Sequence, residues 1–133
     1  MNRVLIFGTF DGLHPGHLDF LKQAKKQGGY LIAVAALDAT VKAVKGRFPK
    51  LNERERLDAL KKSGLVDQAV FGGNGDPYEI IRQIRPDIIC LGYDQEAFTK
   101  KLPRELKKAG LDVKIIRLEP YQPKRYHSAI LNQ

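Results

Sequence analysis

The chain has 133 residues, 43% of them hydrophobic and 29% charged, an ordinary globular composition long enough to bury a core without disulfides or a structural metal. A single cysteine excludes an internal disulfide, no apolar stretch approaches a membrane span, and Met1 leads into Val4-Leu5-Ile6-Phe7 without signal-peptide features, so a cytoplasmic protein with no membrane partner is expected. The net charge of +8 admits nucleic acid, an anionic membrane or phosphorylated small molecules as partners, but much of it stands in pairs at helix ends (Lys25-Lys26, Lys61-Lys62, Lys107-Lys108), where it suits the helix dipole, and no aromatics interleave with it as on a single-strand binding surface.

Apolar runs and amphipathic segments alternate along the chain. Arg3–Phe7 reads as a buried strand ended by Gly8. His17–Gln27 reads as a helix with Leu18, Leu21 and Ala24 on one face and Gly28 as its cap. Tyr30–Leu37 is a second strand, and Asp38–Lys50 a polar loop with one helical turn around Thr40–Val44. Asn52–Lys62 is a helix, because Asn52 and Glu55 have the spacing of a capping box and Leu57 and Leu60 share a face. Gln68–Phe71 is a third strand. After the turn-rich Gly72–Gly75, Asp76 caps a helix that has Pro77 in its first turn and runs to about Arg85. Ile88–Leu91 is a fourth strand, in which Cys90 reads as a small buried hydrophobe rather than a nucleophile. Pro103–Ala109 is a helix ended by Gly110, Val113–Leu118 a fifth strand, and a tail rich in Pro and Tyr leads to a short last helix.

This alternation predicts an α/β fold: a Rossmann-like, doubly wound, five-stranded parallel sheet with helices on both faces. Ligands of such sheets bind beyond the carboxyl ends of the strands, where the strand order reverses. The segment after the first strand is the most informative. Gly8, Gly12 and Gly16 permit sharp turns and close backbone approach, and the start of the following helix offers free N–H groups to an anion. His14 and His17 are three apart, so both rings face one ligand from the first helical turn. Two imidazoles beside a polyphosphate can stabilise charge that grows on α-phosphate oxygens and leaving pyrophosphate, so no nucleophile on the protein is needed. Zinc held by Asp11, His14 and His17 is a weaker alternative, since the spacing matches no zinc signature.

Gly8-Thr9-Phe10-Asp11 followed by His14-Pro15-Gly16-His17 resembles the signature of the cytidylyltransferase-like nucleotidyltransferases, a family that includes glycerol-3-phosphate cytidylyltransferase, phosphopantetheine adenylyltransferase and archaeal-type FAD synthase. The resemblance continues through nearly the whole chain and implies a single nucleotidyltransferase domain over residues 1–133, a homodimer, and Mg²⁺ accompanying a nucleoside triphosphate. It implies that Gly8, Thr9, Phe10, Asp11, His14, Gly16 and His17 bind the nucleotide, with His14 and His17 catalytic. It implies further that Lys45 reaches the α-phosphate with help from Lys42, and that Arg56, eleven positions before Asp67, orients the phosphate of the second substrate. Gly92 and Asp94 fall where nucleotide or acceptor contacts are expected. Arg125, Tyr126 and Ser128 fall where the family binds the β- and γ-phosphates, although Lys124 competes with Arg125 for the cationic role and Ala129 replaces a usual second hydroxyl residue.

Leu91-Gly92-Tyr93-Asp94-Gln95 is similar to the archaeal-type FAD synthases, whereas the glycerol-phosphate enzymes more often carry tryptophan after the aspartate. The expected reaction is therefore ATP with FMN, giving FAD. CTP with glycerol 3-phosphate or phosphoethanolamine is one alternative, and ATP with a sugar phosphate or phosphopantetheine is another. Phe10, Tyr93, Phe98, Tyr121 and Tyr126 are candidates to line an isoalloxazine slot. A non-catalytic nucleotide or nucleic-acid binder is the competing class, and two histidines poised with Lys45 argue against it.

Overall fold

The computed structural model describes residues 2–73, 76–96 and 98–121. Five parallel strands form one sheet in the order β3-β2-β1-β4-β5: β1 is Asn2–Gly8, β2 Gly29–Ala35, β3 Gln68–Phe71, β4 Ile88–Leu91 and β5 Lys114–Arg117. The helices are α1 (Pro15–Gly28), α2 (Asp38–Lys45), α3 (Glu53–Lys62), α4 (Pro77–Ile84) and α5 (Leu102–Lys108), the last preceded by one 3-10 turn at Thr99–Lys101. This is the doubly wound sheet that the alternation of apolar runs predicts.

Side chains alternate across the sheet with period two, and each face has its own core. Val4 and Ile6 of β1, Leu31, Ala33 and Ala35 of β2, and Ile88 and Cys90 of β4 pack with Leu21 and Ala24 of α1 and Leu57 and Leu60 of α3. Leu5, Ile32, Val34, Ile89 and Leu91 point the other way, onto Ile81 of α4 and Leu102 and Leu106 of α5. The central strand β1 pairs with β2 from Asn2↔Gly29 to Gly8↔Ala35 and with β4 at Val4↔Ile88 and Leu5↔Ile89. The winding reverses between β1 and β4, so the crevice opens at their carboxyl ends.

Local signals place most helix ends. Asn52 and Glu55 form the expected reciprocal box: the Glu55 N–H donates to Asn52 Oδ1 at 2.8 Å and the Asn52 N–H to Glu55 Oε1 at 2.9 Å. Asp76 Oδ1 accepts from the Tyr78 N–H ahead of Pro77. The α1 cap is one residue later than expected: Gly28 is the last helical residue, and Gly29, at φ 88°, donates its N–H to the Lys25 carbonyl. The larger departure is α2, a helix of eight residues where the sequence suggests a loop with one turn. Leu37 gives it no side-chain cap. Instead Glu53 Oε1, from the start of α3, accepts the Asp38 N–H at 2.8 Å.

Candidate active site

The turn between β1 and α1 is built around its two histidines. His14 is the N-cap of α1, an unusual residue there. Its Nδ1 accepts the N–H groups of Gly16 at 3.0 Å and His17 at 3.3 Å, doing the work of the usual hydroxyl or carboxylate. An acceptor nitrogen carries no proton, so the neutral His14 ring holds its hydrogen on Nε2, a fixed donor toward the cleft that the ring lines. His17 has the opposite arrangement. Its Nδ1 lies 2.9 Å from the Gly12 carbonyl, which can only accept, so the proton sits on Nδ1. The His14 N–H approaches the same nitrogen at 3.4 Å and is the weaker contact. The two rings stack with centroids 3.7 Å apart at 23°. Burial holds the His17 pKa below its ordinary value. The neighbouring His14 and, more weakly, Lys45 push the same way, against the Gly12 hydrogen bond and Asp11. Gly16 is small for the sake of His14: a Cβ there would stand 2.9 Å from His14 Cε1 and 3.1 Å from its Nδ1.

The residues around this turn divide into those that reach the cleft and those that brace it. Lys45, the last residue of α2, lines the cleft, as do Gly8, Thr9, Phe10, Gly92 and Asp94. Arg56 does not. Its side chain is completely buried, Nε donates to the Leu51 carbonyl at 3.1 Å, Nη1 to the Thr9 carbonyl at 2.8 Å, and Nη2 to Asp38 Oδ1 at 2.8 Å. Arg56, expected to hold the acceptor phosphate, is placed by the structure outside the cleft lining, as a strut joining the β1–α1 turn, the start of α2 and the start of α3. Asp11 braces the same junction rather than the cleft. Its carboxylate accepts the N–H groups of Leu51 at 2.9 Å and Lys50 at 2.8 Å, and these bonds, Leu51 first, hold it below the usual carboxylate range. Lys42 also turns aside, with Nζ donating to the Gly46 carbonyl at 3.0 Å and lying over the Phe48 ring. Sequence separation hides this network, since the links from Asp11 to Lys50 and from Thr9 to Arg56 leave no local pattern.

The cleft itself has a volume of 1210 Å³, above the usual range for a single drug-sized ligand and enough for two substrates side by side. The histidines, Lys45 and the start of α1 form its polar floor. Phe7, Val34, Pro77, Ile80 and Phe98 form an apolar wall on the α4 side, where Phe98 packs edge-on against Phe7 with centroids 5.1 Å apart. Of the aromatic candidates, Phe10 is buried, Phe98 and Tyr121 line the cleft, and Tyr93 stands at its rim, 56% exposed. Two long-range clamps hold the flanking segments. Arg117 Nη1 donates to the carbonyls of Gly92 at 2.7 Å and Gln95 at 2.8 Å, which fixes the loop after β4. Gln23 Nε2 donates to the Glu119 carbonyl while its Oε1 accepts the Glu119 N–H, both at 3.0 Å, which fixes the segment after β5 against α1. Neither residue has a motif around it. Lys124, Arg125, Tyr126 and Ser128 lie outside the described residues.

A doubly wound sheet whose crevice combines a helix amino terminus, paired imidazoles and a lysine suits nucleotidyl transfer. The sequence profile described as cytidylyltransferase-like matches residues 5–131, and the chain belongs to that family. Its curated relatives include a protein named FAD synthase from Methanothermus fervidus, 45% identical over 118 residues, covering 86% of this chain and 81% of the relative. Another of that name, from Aciduliprofundum boonei, is 44% identical over 121 residues, or 91% of this chain and 80% of the relative. A crystal structure described as the lipopolysaccharide core biosynthesis protein from Thermoplasma volcanium superposes with a TM-score of 0.86 at 39% identity, covering 92% of this chain and 99% of that one.

Proposed function

We propose that this chain is an FAD synthase, transferring AMP from ATP to the phosphate of FMN with release of pyrophosphate. The observation that carries this reading is the division of the cleft into a polar floor at His14, His17 and Lys45 and an apolar wall at Phe7, Val34, Ile80 and Phe98. A flat apolar ring fills such a wall, whereas a polyol phosphate leaves it idle. The relatives named FAD synthase support the same choice.

In this reading the start of α1 and His14 Nε2–H hold the α-phosphate of ATP, with Lys45 beside them. An oxygen of the FMN phosphate attacks the α-phosphorus in line. The new P–O bond forms as the bond to the bridging oxygen breaks, and pyrophosphate carries away the electron pair. His17, protonated in the field of the triphosphate, donates from Nε2 to the growing negative charge. Gly92 and Asp94 contact the base or the acceptor, Tyr93 and Phe98 flank the flavin, and Arg125 or Lys124, Tyr126 and Ser128 hold the β- and γ-phosphates. Among the described residues no three His, Cys, Asp or Glu side chains gather into a metal cage. In this reading Mg²⁺ arrives with the nucleotide, where it would neutralise phosphate charge. A homodimer belongs to the proposal and is checked by light scattering.

The test is pyrophosphate release with Mg²⁺ and either ATP or CTP, against FMN, glycerol 3-phosphate, phosphoethanolamine, phosphopantetheine and a sugar phosphate, with His17→Ala as control. Release from ATP and FMN, lost in the variant, is expected. A sugar phosphate is the second reading, favoured by the description of the Thermoplasma volcanium structure, and turnover of it in place of FMN would replace the acceptor. Turnover of CTP with an alcohol phosphate would replace both substrates. No turnover, with retention on a DNA column that falls steeply with salt, would return the chain to the nucleic-acid-binding class.

A further inference from the structure

Phe10 has a geometry that a ligand contact does not explain. It sits at φ 55°, in the left-handed region where a bulky side chain is strained, yet the residue is only 3% exposed. The ring occupies the space beside Gly8, where a Cβ would stand 2.8 Å from Phe10 Cζ and 2.9 Å from Cε2. Gly8 therefore has no side chain because Phe10 takes its place. The other end of the contact is His17: the two rings meet edge to face at 62°, with centroids 5.9 Å apart. His17 is thus bounded by the stacked His14 ring, by the Gly12 carbonyl at Nδ1, and by Phe10.

We propose that Phe10 is the positioning residue of His17, its strained backbone seating the ring in the space left by Gly8 so that the ring edge fixes the imidazole at the reacting phosphate. The inference rests on the placement of His17 at the α-phosphate in the reading above, and the identity of the acceptor does not enter it. Phe10 also keeps water from the imidazole, in keeping with burial as the first cause of the lowered His17 pKa. The charged and titratable groups that act on His17 are His14 at the cap of α1, Lys45 of α2 and Asp11 of the turn, and all three are retained when Phe10 is replaced.

The experiment compares Phe10→Leu, Phe10→Ala, Gly8→Ala and the double variants by thermal unfolding, by kcat and KM for ATP, and by NMR titration of the His17 imidazole in the free protein. Phe10→Ala is expected to lower kcat by about 10- to 100-fold with a smaller change in KM, since misplacement of a catalytic group by about 1 Å has that order of cost. The His17 titration midpoint is expected to move up toward its ordinary value, with Phe10→Leu intermediate in both readouts. Gly8→Ala should reproduce the loss, because its Cβ evicts the ring, yet add less than about twofold in the Phe10→Ala background, the non-additivity of residues in contact. A His17 midpoint unmoved in folded Phe10 variants would overturn the proposal. So would a Gly8→Ala cost that is undiminished when the ring is absent. Should Phe10→Ala fail to fold, Phe10→Leu with Gly8→Ala completes the cycle. A shifted His17 midpoint in a protein that turns over no nucleotide would sustain the positioning role and refute the functional reading instead.

Discussion

Gly16→Ala separates catalysis from stability at one atom. Gly16 lies one residue after Pro15 in the first turn of α1, where alanine alone favours the helix by about 0.5–1 kcal/mol. The added Cβ, however, falls 2.9 Å from His14 Cε1 and 3.1 Å from Nδ1, so the ring must leave its seat. Moving it loosens the hydrogen bonds from the Gly16 and His17 N–H groups, at about 0.5–1.5 kcal/mol each. Set against each other, these effects leave a net destabilisation of about 0–2.5 kcal/mol, which lowers the melting temperature by no more than about 10 °C. The chemistry has no such compensation. A donor displaced from developing phosphate charge costs about 10²–10³ in kcat, or about 2.7–4 kcal/mol. The assay is steady-state pyrophosphate release with saturating ATP and FMN, beside differential scanning calorimetry. A variant with kcat within about twofold of the parent and an unchanged melting temperature would refute the reasoning, because it would mean that His14 is not seated as a cap.

Arg56→Met should destabilise the protein by about 3 kcal/mol, since it strands Asp38 and the Thr9 and Leu51 carbonyls. The surviving folded enzyme should keep its acceptor KM, whereas a raised acceptor KM with an unchanged melting temperature would restore Arg56 as a phosphate anchor. His17 makes stability and binding depend on pH in opposite senses. Its folded pKa lies below the ordinary 6.5, so between the two values the folded chain holds fewer protons than the unfolded one. Its contribution is full above about pH 6.5, falls as the pH drops through that value, and levels off below the folded pKa; a His17→Asn variant should lose that slope in denaturant titrations. A bound triphosphate favours the protonated ring, so ATP should take up a proton near pH 7, measured by calorimetry in buffers of different ionisation heat, and an absence of uptake would sink the role given to His17. Burial pushes the Cys90 thiol up to about 11, so a thiol reagent at pH 8 should attack the folded protein at least about 100-fold more slowly than the denatured one. Rapid reaction of the folded protein would show that β4 opens.

The strands and the turn between β1 and α1 were legible in the sequence because their causes are local. Apolar runs such as Val4–Phe7 and Ile88–Leu91 belong in a sheet covered on both faces, and Gly, Pro and Asn signals set most helix ends. The pairing of His14 with His17 followed from a three-residue spacing in a first helical turn. What escaped was held by distant residues. The α2 helix has no capping side chain of its own and takes its first acceptor from Glu53, so its sequence reads as a loop. Arg56 resembles an exposed helical arginine until Thr9 and Asp38 close over it. The glycines were read as making room for a ligand, whereas Gly8 and Gly16 make room for the rings of Phe10 and His14, a distinction that needs coordinates.

Because all five strands run the same way, the sheet has a working rim and an idle rim. Among the described residues, each segment that borders the cleft leaves a carboxyl end of a strand, while Gly64–Val66, Arg85–Asp87 and Leu111–Val113 join helices to the amino ends on the opposite side. The idle rim is thus the place to graft an affinity handle, a fluorophore or an inserted module without touching the reaction. The same change at the working rim, in Gly46–Lys50 for example, would tug on the Asp11 brace and through it on the histidines.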